Sequence, residues 1–147
     1  MKYIKLFESK DDYTLSVKKS SITSRSYEKI ETYNVKLKLS NKLVSKCFFI
    51  KPYMKNNKVE LYDGGSTETF SSDDKFVKIY DVKSIIKGQG YGKFLFDKLK
   101  EYLKIQGIDK IYIDVDLENT GAQKFYKRIG FKQQWKGFSD YRYVLDF

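Results

Sequence analysis

The stretch "IIKGQGYGKFLF" (Ile85–Phe96) places three glycines within five positions and then runs on into good helix formers. A chain with nine glycines in 147 residues needs a geometric reason to gather them at the mouth of a helix, because glycine inside an element costs roughly 0.5–1 kcal/mol relative to alanine. Close approach of the backbone to a ligand is one such reason. A glycine-rich turn between a strand and a helix presents N–H groups that lack intrahelical acceptors, together with the positive end of the helix dipole, and so makes a phosphate site. Gly88, Gly90 and Gly92 admit the approach, and Lys87 and Lys93 add positive charge. The dinucleotide fingerprint G-x-G-x-x-G does not fit this spacing, and the Gly-Lys-Ser/Thr ending of a Walker A loop is absent. Tight strand-to-helix packing remains the alternative use of these glycines.

The residues on either side supply the context. "KFVKIYDV" before the turn alternates as a strand, with Phe76, Lys78, Tyr80 and Val82 on one face and Val77, Ile79 and Asp81 on the other. After it, Leu95, Leu99, Tyr102 and Leu103 recur at helical spacing, predicting a helix over about Gly90–Gln106 with Gly107 at its left-handed cap. "IDKIYIDV" is the next strand, pointing Ile111, Ile113 and Val115 one way and Tyr112, Asp114 and Asp116 the other. Asn119 can cap a second helix carrying Ala122, Phe125, Tyr126 and Ile129, closed by Gly130. Phe131 to Trp135 and Tyr141 to Phe147 read as a closing hairpin.

Upstream the texture differs. From Met1 to about Asp63 the apolar residues alternate, as in Val35, Leu37 and Leu39 and again in Val44, Phe48 and Ile50 around the turn signal "SNK", which is an antiparallel strand pattern. Ser20 to Tyr33 has serine caps and predicts a short helix with a thin apolar face. Asp63 to Asp74 reads as a polar loop. No repeat or long linker divides the chain, and its length fits one domain.

Composition narrows the chemistry. The chain has no histidine and one cysteine, Cys47. An internal disulfide is therefore impossible, histidine catalysis is excluded, and no metal site is expected, because zinc and most transition metals want imidazole or thiolate. Any acid or base must be a carboxylate, a tyrosine, a lysine or water. The longest strictly apolar run is Cys47 to Ile50, far short of a membrane span, and no signal-peptide core is visible. A cytoplasmic protein without membrane attachment is expected.

The net charge of +10 raises the question of nucleic acid. Residues 1–75 carry 15 basic and 10 acidic side chains and residues 76–147 carry 14 and 9, so the excess is spread evenly. Only Arg25, Arg128 and Arg142 offer the bidentate geometry that reads base edges. A lysine-rich solvated surface accounts for the charge better than a nucleic-acid face does.

"VKSIIKGQGYGKFLFDKL" together with "IYIDVDLENTGAQKFYKRIGF" resembles the acyl-CoA-dependent N-acetyltransferases of the GNAT superfamily. The turn motif of that family, R/Q-x-x-G-x-G/A, is matched by Lys87, Gly90 and Gly92, with lysine replacing the usual arginine or glutamine. Its N-x-x-A-x-x-x-Y motif and following Gly-Phe are matched by Asn119, Ala122, Tyr126, Gly130 and Phe131. The resemblance covers residues 76–147. It implies a single α+β domain with a central, mostly antiparallel sheet, one splayed parallel strand pair and flanking helices. Residues 1–75 would be the acceptor-determining half and residues 76–147 the acetyl-CoA-binding half.

By the same resemblance acetyl-CoA is the co-substrate. Its diphosphate would lie on the N–H groups of Lys87, Gly88, Gln89, Gly90, Tyr91, Gly92 and Lys93, its pantetheine arm beside Asp81, Val82 and Ser84, with Asn119 and Tyr126 in contact. Tyr126 would be the general acid and Asp114 the general base, directly or through water, with Asp116 on the same strand face and the Val82 N–H serving the oxyanion. The acetyl group would pass to a primary amine by direct attack in a ternary complex. The net charge favours an acidic partner over a polyamine at long range, which leans towards a protein amine. A monomer or homodimer is expected. A catalytically silent CoA-binding regulatory module and a basic nucleic-acid-binding protein, stacking bases on Tyr33, Phe48, Tyr53 and Tyr62, are the competing readings.

Overall fold

The computed structural model describes residues 12–25, 28–63 and 66–147. In chain order the elements are β1 (Tyr13–Arg25), β2 (Glu28–Leu39), β3 (Lys42–Lys51), β4 (Tyr53–Lys55), β5 (Lys58–Asp63), β6 (Ser66–Phe70), β7 (Phe76–Ser84), α1 (Tyr91–Ile105), β8 (Lys110–Asp116), α2 (Thr120–Arg128), β9 (Lys132–Lys136) and β10 (Asp140–Asp146). Seven strands form one sheet in the order β1-β2-β3-β7-β8-β10-β9, and β4, β5 and β6 form a second, three-stranded sheet. Within the large sheet only β7 and β8 run parallel. The connection between them is α1, as a parallel pair demands a crossover rather than a hairpin.

Two apolar clusters fix the layers. On one face of the large sheet Val35, Leu37, Phe49, Val77, Ile79 and Ile111 pack with Leu95, Leu99 and Leu103 of α1 and with Tyr126 and Phe131. On the other face Phe76 and Tyr112 pack with Val59 and Leu61 of β5 and Phe70 of β6, so the small sheet covers this side. The first four residues of β7 are accordingly buried on both faces. A central strand sandwiched in this way explains why "FVKI" is nearly continuous in apolar character.

Two sequence readings are corrected. Ser20 to Tyr33 is not helical: its described residues extend β1 and begin β2, paired from Ser21↔Thr32 to Arg25↔Glu28. The thin apolar face could not hold a helix against a core, whereas cross-strand pairing satisfies the backbone of both arms. Residues 26 and 27 lie outside the described residues. Asp63 to Asp74 likewise contains a strand, since Ser66–Phe70 pairs with Val59–Asp63 and its Phe70 enters the second cluster. The expectation for residues 1–11 falls outside the described residues. No helix among the described residues is long and apolar enough to cross a membrane.

Leu99 is fully buried between α1 and the sheet. Leu99→Ala is expected to lower unfolding free energy by about 2–5 kcal/mol, read by urea denaturation with an unchanged m-value.

Candidate active site

The parallel pair holds for only three residues. Phe76, Val77 and Lys78 pair with Lys110, Ile111 and Tyr112, and beyond them β7 and β8 separate. The cause is visible in the register of β7 against β3. Lys46 faces Lys83 while Phe48 faces Tyr80, so β7 carries one extra residue, and Asp81 sits there with a φ of 50°. Such a bulge bends and twists the strand that carries it. β8 meanwhile continues straight, paired with β10 from Lys110 to Asp116.

The glycine turn follows β7. Gly88 and Gly90 have φ of 78° and 75°, the left-handed region that a side chain would strain. Gly90 is the N-cap of α1, with no side-chain capping bond and no acidic residue in the first turn. The first helical bond is from the Phe94 N–H to the Gly90 carbonyl at 3.0 Å, so the intervening N–H groups face the mouth of the helix. Gly92 answers a different demand: a Cβ there would stand 3.1 Å from Phe125 Cζ, so its absence lets α2 close onto the start of α1. Ser45 Oγ donates to the Tyr91 carbonyl at 3.1 Å and ties the helix start to β3.

These elements enclose a cleft of about 490 Å³. Val82 and Ser84 form one wall, Lys87, Gly88, Gly90, Tyr91 and Gly92 the floor, and Ala122, Phe125, Tyr126 and Arg128 of α2 the other wall. A second cavity of about 300 Å³ occupies the gap between the separated strands, lined by Ile79 to Val82, Ile113 to Asp116, Asn119, Ala122 and Tyr126. Val82, Ala122 and Tyr126 line both spaces.

Most of the expected residues meet in the first cleft, and five do not. Gln89 is not on its surface, and Lys93 lies along α1, paired with Asp97 at 3.0 Å. Asp81, Asn119 and Asp114 line the second cavity instead. Asn119 Oδ1 accepts the Ala122 N–H at 3.1 Å, which is the capping role. Sequence reasoning did not place Phe125 or Arg128 in the cleft. Spacing could have found Phe125, which shares the helical face of Ala122 and Tyr126.

Asp114 differs most from expectation. Lys78 Nζ lies 2.7 Å from Oδ2, and Arg142 donates from Nε to Oδ1 at 2.8 Å and from Nη2 to Oδ2 at 3.2 Å. Arg142 also donates to Glu68 and lies over the rings of Tyr112 and Trp135. Burial would raise the Asp114 carboxyl, but the bonds and charges of Arg142 and Lys78 outweigh it and hold the group below its usual range. That makes it a poor proton acceptor near neutral pH. Lys78 in "FVKIY" carried a signal of this network, since a charge on a strand buried on both faces requires a partner.

Tyr126 is buried, and its phenol is raised chiefly by burial and secondarily by Cys47. It therefore stays protonated. Cys47 is itself buried, and desolvation pushes its thiol up to about 12. No group of three or more His, Cys, Asp or Glu side chains suited to a metal occurs among the described residues.

Residues 60–131 match the family model of the acetyltransferase (GNAT) family. An uncharacterized N-acetyltransferase of Methanocaldococcus jannaschii is 42% identical over 48 residues, which is 33% of this chain and 21% of that protein. A ribosomal-protein alanine N-acetyltransferase of Haemophilus ducreyi is 38% identical over 52 residues, 35% of this chain and 36% of that protein. The chain thus spans well under half the length of either curated relative. Among solved structures, the PaiA N-acetyltransferase of Thermoplasma acidophilum in complex with coenzyme A superposes with a TM-score of 0.56 at 14% identity, over 79% of this chain and 61% of that one. The Campylobacter jejuni N-acetyltransferase PseH in complex with acetyl coenzyme A gives 0.53 at 13%, over 78% and 67%. At such identities the likeness is one of fold. Residues 60–131, just under half of the chain, are thus similar in sequence to the GNAT acetyltransferase family, and the fold is that of its solved members.

The ion network has a pH signature. Because the Asp114 carboxyl is lowered in the folded state, its contribution is present above the unfolded value near 3.8 and is lost as pH falls through the lower folded value. Asp114→Asn is expected to cost roughly 3–5 kcal/mol at pH 7, because Lys78 and Arg142 lose the carboxylate they share. The gap between the melting curves of the two proteins should stay constant above about pH 5 and narrow below about pH 4.

Proposed function

We propose that the protein transfers an acetyl group from acetyl-CoA to a primary amine. The observation that carries this reading is the meeting of three features in one cleft: the left-handed glycine turn, the bulged edge of β7 without a partner strand, and Tyr126. The fit to coenzyme A is physical. The turn and the first turn of α1 direct N–H groups to where a diphosphate would lie, with Lys87 and Arg128 on the same surface. Beyond Lys78 the ladder between β7 and β8 stops, and an extended amide-bearing arm can add to β7 beside Val82 and Ser84.

The protein's part in the reaction is positioning and proton movement. The amine nitrogen forms its bond to the thioester carbonyl carbon, the carbon–sulfur bond breaks, and the tetrahedral oxyanion is served by the Val82 N–H. The departing thiolate takes the proton of the Tyr126 hydroxyl, and the phenolate is restored by the second proton that the acylated nitrogen sheds, so the tyrosine relays a proton and ends as it began, protonated as burial favours. The proton lost by the amine leaves through water in the second cavity, since Asp114 is held ionised by two cations and acts as a fixed negative charge. No acyl-enzyme is required.

Acetyl-CoA at 100 times its dissociation constant is expected to stabilise the fold by about 2.7 kcal/mol, a rise of several degrees in Tm. Gly90→Val should abolish the rise by straining the turn, with the Tm of the unliganded variant measured alongside. Tyr126→Phe should keep the rise while lowering turnover about 10²-fold or more. A rise without thiol release for any amine would favour the silent CoA-binding module. No rise, with salt-steep binding of single-stranded nucleic acid, would favour the third reading.

A further inference from the structure

The positive excess that is spread evenly along the chain is gathered in space. On β2 and β3 the residues Val35, Leu37, Cys47 and Phe49 point into the helix-side core, so the alternate positions Asn34, Lys36, Lys38, Lys46 and Phe48 point the other way. Lys83 follows the same alternation on β7, between Val82 and Ser84, which line the glycine-turn cleft. On β1, Lys18 stands across from Asn34 and Ser16 from Lys36. The small sheet is packed over the other end of this face, around Phe76, Tyr112 and Ile50, and both helices pack on the opposite side. Lys18, Lys36, Lys38 and Lys83 are exposed and Lys46 is half-buried.

The register makes the crowding specific. Lys36 is the direct partner of Lys46, and Lys46 of Lys83, so three lysines stand side by side on strands about 5 Å apart. Like charges placed opposite one another destabilise a sheet. None of their in-register neighbours is a carboxylate, and among the described residues none of the five lysines forms an ion pair. Thr14, Ser16 and Asn34 fill the positions between them with hydroxyl and amide groups. A face that keeps such repulsion when free is suited to an anionic partner that removes it.

Charge spacing and shape decide which anion. An extended acidic peptide brings carboxylates to one side only at every second residue, about 7 Å apart. A nucleic-acid strand carries a charge about every 3.4 Å and can engage the whole row. The face is a sheet surface with both helices behind it, so it has no helix to place in a duplex groove. Phe48, half-buried and stacked on Tyr80 with ring centroids 5.1 Å apart, borders the lysines and offers an aromatic surface to bases. Of the aromatic residues that the sequence suggested for stacking, Tyr33 lies on the helix side against Phe49, and Tyr53 and Tyr62 belong to the small sheet, so only Phe48 is in place. We infer that this face, centred on Lys36, Lys46 and Lys83, binds the phosphate backbone of single-stranded nucleic acid, with Phe48 against the bases at its border. The inference stands apart from the transferase reading, because these side chains lie outside the cleft that holds Tyr126.

The test titrates the whole protein, without acetyl-CoA, into a fluorescent single strand of roughly 16 nucleotides and follows anisotropy. Affinity should fall about 50- to 100-fold between about 50 and 200 mM salt, as engagement of the lysines implies. Lys36→Gln, Lys46→Gln and Lys83→Gln together should weaken binding at least about tenfold and flatten the salt dependence, with a Tm no lower than that of the parent, because mutual repulsion is relieved. Lys104→Gln, Lys127→Gln and Lys132→Gln together remove the same charge from exposed positions on α1, α2 and β9 and should leave affinity within about threefold. Phe48→Leu should lower affinity several-fold without changing the salt slope. Equal losses in the two triple variants, binding to polyglutamate or to phosphatidylserine vesicles that matches binding to the oligonucleotide, tighter binding of the duplex, or no binding at about 50 mM salt would overturn the inference. Each of these results would leave the stabilisation by acetyl-CoA, and with it the transferase reading, standing.

Discussion

The structure depends on a hydrogen-bond ladder that stops early. Two parallel strands at the centre of a sheet would ordinarily pair along their whole length, because an edge buried inside a protein leaves polar backbone groups without partners. Here the bulge at Asp81 turns β7 away after three residue pairs, and the space that opens joins the cleft at the glycine turn to the cavity between the two strands. The position of the glycine turn follows from the same divergence, since it starts where β7 ends, and so does the exposure of Tyr126 to both spaces.

Opening a sheet at its centre weakens it locally, and the chain reinforces the remainder around the opening. Lys78 on β7, Asp114 on β8, Arg142 on β10 and Glu68 on β6 form one ionic network, so three strands of the large sheet and one of the small sheet are tied together next to the gap. The guanidinium also lies 5.5 Å from the Tyr112 ring centroid and 4.9 Å from that of Trp135. Such a network is stiff only when every member is satisfied, and Asp114, bonded to both Lys78 and Arg142, is the member that joins the strands.

Much of the second half of the chain was legible because its signals are local. Helical periodicity in Leu95, Leu99 and Leu103, the cap at Asn119 and the glycines at 88, 90 and 92 each fix geometry within a few residues. What escaped depends on partners far apart in sequence. Ser20 to Tyr33 looked helical until its two arms paired with each other, and Phe70 became a core residue only once β6 folded over the large sheet. Asp114 resembled a base because its environment, Lys78 at 36 positions and Arg142 at 28 positions away, is invisible along a single strand.

Cys47 carries a last consequence. A thiolate beside a thioester would capture the acetyl group for itself, trapping the protein in a modified form after one encounter. Held inside the core with its proton secured by desolvation, the single cysteine is kept from ionising, so a thioester bound in the glycine-turn cleft, as proposed, would meet no resident thiolate. Under the proposed transfer, burial would act as chemoselectivity, leaving an outside nucleophile to react because the resident one is kept from ionising.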